Sequence, residues 1–119
     1  MPAKDPAAYL QHIRDCCFQI AKCDELRRKG NVPESVILDA ICRNLEIMGE
    51  AANKVGSEFR ASHPEIPWRQ MISARNILIH NYDGIDPQIV WGIVERDIPS
   101  LLAAIGVLLE DLRRRGSQV

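Results

Sequence analysis

The chain reads as an all-α protein, an antiparallel up-down helical bundle of four to five helices whose last helix is kinked or split at Pro99. Three observations predict this. Apolar residues recur at spacings of three and four along most of the 119 residues, as they do on one face of a helix. No segment alternates with period two for long enough to make a convincing strand. The connections between the long periodic stretches are short, which favours antiparallel neighbours.

The first helix is expected over about Asp5–Arg28, with Asp5 as N-cap and Pro6 at the first position. Its inward stripe is Leu10, Ile13, Cys17 and Ile20, and Lys29-Gly30-Asn31 stops it. Pro33 opens the second helix, whose stripe is Val36, Ile37, Ala40, Ile41, Leu45, Met48, Ala52 and Val55. Gly49, Ala51 and Ala52 make that helix locally thin, so that another helix can approach closely. Gly56-Ser57 ends it. The segment 58–67 reads as a connector with two prolines. A third helix runs from about Pro67-Trp68 to His80. The last has Asp86 as N-cap and Pro87 at its first position. It carries Ile89, Val90, Ile93, Val94, Leu101, Leu102, Ile105, Leu108, Leu109 and Leu112. Pro99 inside it must kink or split the rod, because proline has no N–H and crowds the preceding turn.

Composition narrows the class. A single domain over residues 1–119 suffices to bury roughly two-thirds of its unfolded surface. Hydrophobic residues make up 46 % and charged residues 26 %, the balance of a globular protein. No apolar run approaches the ~18 residues of a membrane span. The opening Met-Pro-Ala-Lys-Asp-Pro lacks the apolar core of a signal peptide, so a cytoplasmic protein without a membrane partner is expected. Cys16, Cys17, Cys23 and Cys42 form no C-x-x-C pair and read as buried reduced thiols. His12, His63 and His80 have no ligand spacing with them, so no metal site and no cofactor is expected.

The net charge of −1 removes a basic nucleic-acid footprint at the level of the whole chain. A local patch remains open from Arg43, Lys54, Arg60, Arg69 and Arg75. Arg113-Arg114-Arg115 read as a solvated helix end that favours the dipole. Glu46 and Glu50, four apart, read as a solvated stripe or a dimer salt bridge rather than a catalytic carboxylate pair. Trp68 and Trp91 read as packing anchors, and Tyr9 as core.

The octet at residues 75–82, Arg-Asn-Ile-Leu-Ile-His-Asn-Tyr, carries the chemistry. It places a permanent cation, an imidazole and a phenol within two helical turns, then breaks the helix at Asp83-Gly84. A cation beside a group that titrates near neutrality is the minimum kit for moving a proton next to a phosphate. The residues also admit a plain reading, with His80 favoured by the dipole of a helix C-terminus by roughly 0.3–1 kcal/mol, Asn76 bonded to it, and Tyr82 in the core with its hydroxyl satisfied. Arg75 and His80 are five apart, about 140° in direction and about 7.5 Å in rise on an ideal helix. They do not share one narrow face, and a cleft between two copies of the helix end suits them better.

The ordered set of motifs resembles the HepT-like family of the HEPN superfamily, the toxin side of HepT/MntA-type toxin–antitoxin pairs. The residues that carry the resemblance include Leu10-x-x-Ile13 and Asp39-Ala40-Ile41. They continue with Leu45-Glu46-Ile47-Met48-Gly49-Glu50-Ala51, Ile66-Pro67-Trp68 and Arg75-Asn76-x-Leu78-Ile79-His80-x-Tyr82. Asp86-x-x-x-Val90-Trp91 and Asp97-Ile98-Pro99-x-Leu101 complete the set. The Arg-x4-His-x-Tyr element alone is a weak motif, and in order with the others it is specific.

The resemblance implies an all-α, metal-independent endoribonuclease that acts on RNA as a homodimer, the toxin of a type VII pair. It implies that Arg75 and His80 are catalytic and line a cleft between the chains. Asn76 is an expected orienting residue. Tyr82 matches the tyrosine that a MntA-like nucleotidyltransferase antitoxin modifies with AMP. The competing function is a non-catalytic substrate-binding or regulatory subunit of a nucleotidyltransferase.

Overall fold

Capping marks both ends of the first helix and the start of the last. The computed structural model describes residues 5–80 and 84–117, apart from the side chains of His80 and Ser117. Its helices are α1 (Pro6–Lys29), α2 (Glu34–Lys54), α3 (Ser57–Ser62), α4 (Trp68–His80), α5 (Pro87–Gly92) and α6 (Ile98–Ser117). A π-helical turn, Ile93–Asp97, joins the last two. No strand occurs among the described residues. At the start of α1 the Asp5 carboxylate accepts from the Ala7 N–H at 3.0 Å. At its end Gly30 adopts φ +73, where a side chain would be strained, and its N–H reaches the Leu26 and Arg27 carbonyls. Asp86 repeats the N-terminal device, accepting from the Gln88 N–H at 2.9 Å ahead of Pro87.

The bundle forms as the apolar stripes require. α1 packs against α2 and α6, and α2 packs against α4 on its other side. Leu10, Ile13, Cys17 and Ile20 are fully buried, together with Ile41 and Ala52 of α2 and Ile105 of α6. At about 25 cal/mol per Å² of apolar surface, this core is the main favourable term in folding. Trp68 and Trp91 anchor the two ends of the packing. Both are buried, and the Trp68 indole N–H donates to the His63 carbonyl at 2.8 Å.

Pro99 splits the last helix, as the sequence predicts, and a π-helical turn joins the pieces just ahead of it. In an α-helix its ring would press on the Glu95 carbonyl. The turn before it widens instead, and the Ile98 N–H donates to the Ile93 carbonyl, one residue further back than in an α-helix. The rod continues, and Val94, Ile98, Leu101, Ile105 and Leu108 all remain in the core.

The buried Asp24 orients Arg27, which links α1 to this turn. It pairs with Arg27 at 2.8 Å and Arg28 at 2.9 Å. Arg27 also reaches Glu95 at 3.3 Å and lies 4.3 Å above the Trp91 ring.

Three expectations need correction. Residues 58–67 are not simply a connector, because α3 occupies the first half. Gly56, at φ +93, turns the chain, and Arg60 then donates to the Ala52 and Asn53 carbonyls at 3.2 and 2.8 Å. That adds partners for carbonyls in the last turn of α2 and ties the short helix to it. Val36 and Ile89 do not join the inward stripes; they are 54 % and 64 % exposed. Each lies in the first turn of its helix, where Ile37 and Val90 take the inward positions. Tyr9 is only half-buried and stands edge-on to His12, with ring centroids 6.4 Å apart.

Candidate functional site

The chemistry-bearing residues lie on α4, and α2 sets their position. Where the two helices cross, a Cβ on Gly49 would collide with the Arg75 side chain and lie 2.7 Å from the Met71 carbonyl oxygen. The thin face of α2 expected from Gly49, Ala51 and Ala52 is therefore the seat of Arg75. Arg75 is half-buried there, and one guanidinium nitrogen donates to the Asn76 Oδ1 at 3.4 Å. Asn76 is exposed. Among the described residues, no carboxylate lies within ion-pair distance of Arg75. Glu50 is its acidic neighbour. Lys54, bonded to Glu50 at 3.1 Å, is the main influence holding that carboxyl below its usual range; Arg75 and Arg43 lower it further.

His80 closes α4, five residues after Arg75. Its side chain and Tyr82 lie outside the described residues. The structure thus brings Arg75 and Asn76 together and puts His80 one helical turn beyond Asn76, about 6 Å along the axis.

Most other cations are committed. Arg43 faces Glu46 at 3.9 Å, and Arg113, Arg114 and Arg115 pair with Glu110 and Asp111 on the solvated end of α6. Glu46 and Glu50 form a solvated stripe with Arg43 and Lys54. Of the patch considered from sequence, Arg60, Arg69 and Arg75 keep charge that no carboxylate pairs among the described residues. No three His, Cys, Asp or Glu side chains gather as metal donors among those residues.

An apolar groove of about 500 Å³ runs beside α4. Met48 of α2, Met71, Ala74 and Ile77 of α4, and Ile93 and Leu101 beyond it line its length. A second hollow continues it through Ile85 and Ile89, sharing Ala74, Ile77 and Ile93. Ile77 is 57 % exposed. Sequence reasoning missed this face. Its one signal was Ile77, an apolar residue that the core stripes do not absorb; Ile89 had been placed among them.

Comparison with known proteins follows the same residues. The family model described as Ribonuclease HepT-like matches residues 8–108. The chain belongs to the HepT-like ribonuclease family. Among its relatives is "Probable ribonuclease HepT" of Thermococcus cleftensis, 41 % identical over 91 residues, covering 76 % of this chain and 74 % of that protein. A Caldanaerobacter subterraneus subsp. tengcongensis protein, whose name proposes RNase activity, is 34 % identical over 108 residues, 90 % of this chain and 96 % of its own. A Methanocaldococcus jannaschii protein, again with a name proposing RNase activity, is 32 % identical over 109 residues, 91 % of this chain and all of its own. No solved structure gives a significant match. The HepT-like match spans the thin face of α2, α4 with its closing histidine, and the π turn. Among the described residues of this HepT-like chain, no helix is long and apolar enough to cross a membrane.

Proposed function

We propose that the protein is a metal-independent endoribonuclease acting as a homodimer, the toxin of a type VII toxin–antitoxin pair. The observation that carries this reading is the state of Arg75. Its stem is packed against Gly49, so that the residue is half-buried, and its guanidinium is held by an amide rather than a carboxylate, about one and a half turns before the helix-closing His80. Such a cation is available to balance charge on a phosphate. The RNase names of the relatives support RNA as the substrate.

Cleavage would proceed by attack of the ribose 2′-oxygen on the adjacent phosphorus, breaking the bond to the 5′-oxygen. A base must take the 2′-OH proton and an acid must supply one to the leaving oxygen. Each chain contributes one suitable histidine. A two-fold axis brings a second copy, so that His80 of one protomer serves as base and the partner's His80 as acid, while Arg75 stabilises the charged phosphorane. The apolar groove beside α4 supports the dimer, since it leaves large aliphatic side chains open next to the motif. A MntA-like nucleotidyltransferase would silence the toxin by transferring AMP to Tyr82.

The test is RNA cleavage by purified protein in excess EDTA. Wild type should cleave, and His80→Ala should lose about 10²–10⁴-fold in rate with unchanged helical circular dichroism. Full activity in the variant, or strict dependence on a divalent metal, overturns the mechanism. Binding to a nucleotidyltransferase without RNA cleavage in any state would instead favour the non-catalytic subunit.

A further inference from the structure

A second groove, of about 730 Å³, flanks α4 on the side of Asn76. Arg60 of α3, the turn with Pro64 and Pro67, and Arg69, Ser73 and Asn76 of α4 line it. Arg69, Ser73 and Asn76 are spaced by four and three residues, so they stand on one face of the helix. Arg69 lies about 10.5 Å before Asn76 along the axis, too far for both to hold the same phosphate. The backbone continues from Asn76 by one further turn to His80.

The charge in this groove is preorganised. Arg60 is fixed by the Ala52 and Asn53 carbonyls, partners that orient a guanidinium without neutralising it. Arg69 is exposed, and among the described residues no carboxylate pairs with it. The one carboxylate lining the groove, Glu65, stands 3.4 Å from the His63 ring nitrogen. The wall is also stiff. Two prolines border it, and the Trp68 indole is bonded to the His63 carbonyl. A groove that sets two guanidiniums against one carboxylate and leads to the candidate site has the chemistry of a track for a nucleic-acid backbone.

We infer that this groove holds the single-stranded RNA backbone away from the cleaved bond, with Arg69 as a phosphate-binding residue and Arg60 as a fixed source of positive potential. The inference rests on the ribonuclease reading and adds a substrate subsite to it. Arg69 is a binding residue here and takes no part in the proton transfers.

The experiment compares wild type, Arg69→Ala, Arg69→Lys and Arg114→Ala on a short single-stranded RNA oligonucleotide and on a dinucleotide. Arg114→Ala removes the same charge from the solvated end of α6. Binding of the uncleaved oligonucleotide is measured by fluorescence anisotropy in the His80→Ala background across a salt series. For Arg69→Ala, KM on the oligonucleotide should rise about 3–10-fold, more than kcat falls, and the advantage of the oligonucleotide over the dinucleotide should shrink. The slope of log Kd against log salt should lose about 0.7, the share of one phosphate contact on a single strand. Arg69→Lys should recover most of the salt slope, and Arg114→Ala should match wild type. Cleavage by wild type with unchanged KM and salt slope in Arg69→Ala overturns the subsite alone. An equal loss in Arg114→Ala also overturns it, because the effect is then only net charge. Failure of wild type to bind or cleave RNA overturns the ribonuclease reading and the subsite together.

Discussion

Gly49 of α2 lies against Arg75 of α4 with no room for a side chain between them. The site's cation owes its position to a missing methyl group on another helix. Gly49→Ala should therefore act against helix propensity. Alanine gains about 1 kcal/mol over glycine inside a helix. Here its Cβ would sit 2.7 Å from the Met71 carbonyl oxygen, a backbone atom that cannot rotate away. Overpacking of this kind costs about 1–3 kcal/mol, so the clash should win. Urea unfolding should show a net loss of stability, and RNA cleavage should fall further than the unfolded fraction explains. A stabilised, fully active Gly49→Ala would show that the helices part at no cost.

Ile77 supplies a test of the dimer. It is exposed in the isolated chain, so Ile77→Asp should change the stability of the fold by no more than about 0.5 kcal/mol. In a dimer seam the aspartate would be buried without a partner, which is costly. Light scattering at micromolar concentration should show wild type as a dimer and Ile77→Asp as a monomer, with cleavage lost alongside the dimer. A monomeric wild type that cleaves RNA would end the shared-cleft mechanism.

Tyr82 is the proposed point of control. AMP on its hydroxyl would add a phosphate near Arg75 and His80 in sequence, where it could pair with the guanidinium meant for RNA. Incubation with the nucleotidyltransferase and ATP should add nucleotidyl mass to wild type and abolish cleavage. Tyr82→Phe should gain no mass and should stay active. Equal mass gain on both proteins would move the modification elsewhere.

The cysteines predict an alkaline limit to stability. Burial, with a smaller contribution from Asp15, pushes the Cys16 thiol up to about 11, and burial pushes Cys17 up to about 12. In the unfolded chain a thiol ionises near about 8.5. Between those values the folded state keeps protons that the unfolded state releases. This contribution is full below pH about 8.5 and is lost as pH rises towards 11 and 12. The urea midpoint of wild type should fall between pH about 8 and about 10.5, and Cys17→Ala should show a smaller fall over the same range. Identical pH profiles would remove the buried thiols as its cause. Both thiols should also react slowly with a disulfide reagent at neutral pH while the protein is folded, since the thiolate is the reactive form.

The sequence by itself determined the helices, their caps and most of the core. Asp5-Pro6, Gly30, Asp86-Pro87 and the three-and-four stripes are local signals, and local hydrogen bonds and helical geometry suffice to read them. It also marked Gly49 as a place for close approach, because a helix without side chains on one face has a single obvious use. Tertiary structure decided what local rules cannot. How Pro99 interrupts the rod depended on a widened turn that leaves α6 packed on α1 and α5 on α2. Whether residues 58–67 fold depended on Arg60 finding carbonyls at the end of α2. Most arginine pairings are local, at spacings of three and four, but that Arg27 also reaches Glu95 depended on the packing of two elements remote in sequence. The open face around Ile77 and Ile89 was hidden for the same reason: an apolar residue on a helix reads as core until the packing partners of each face are known.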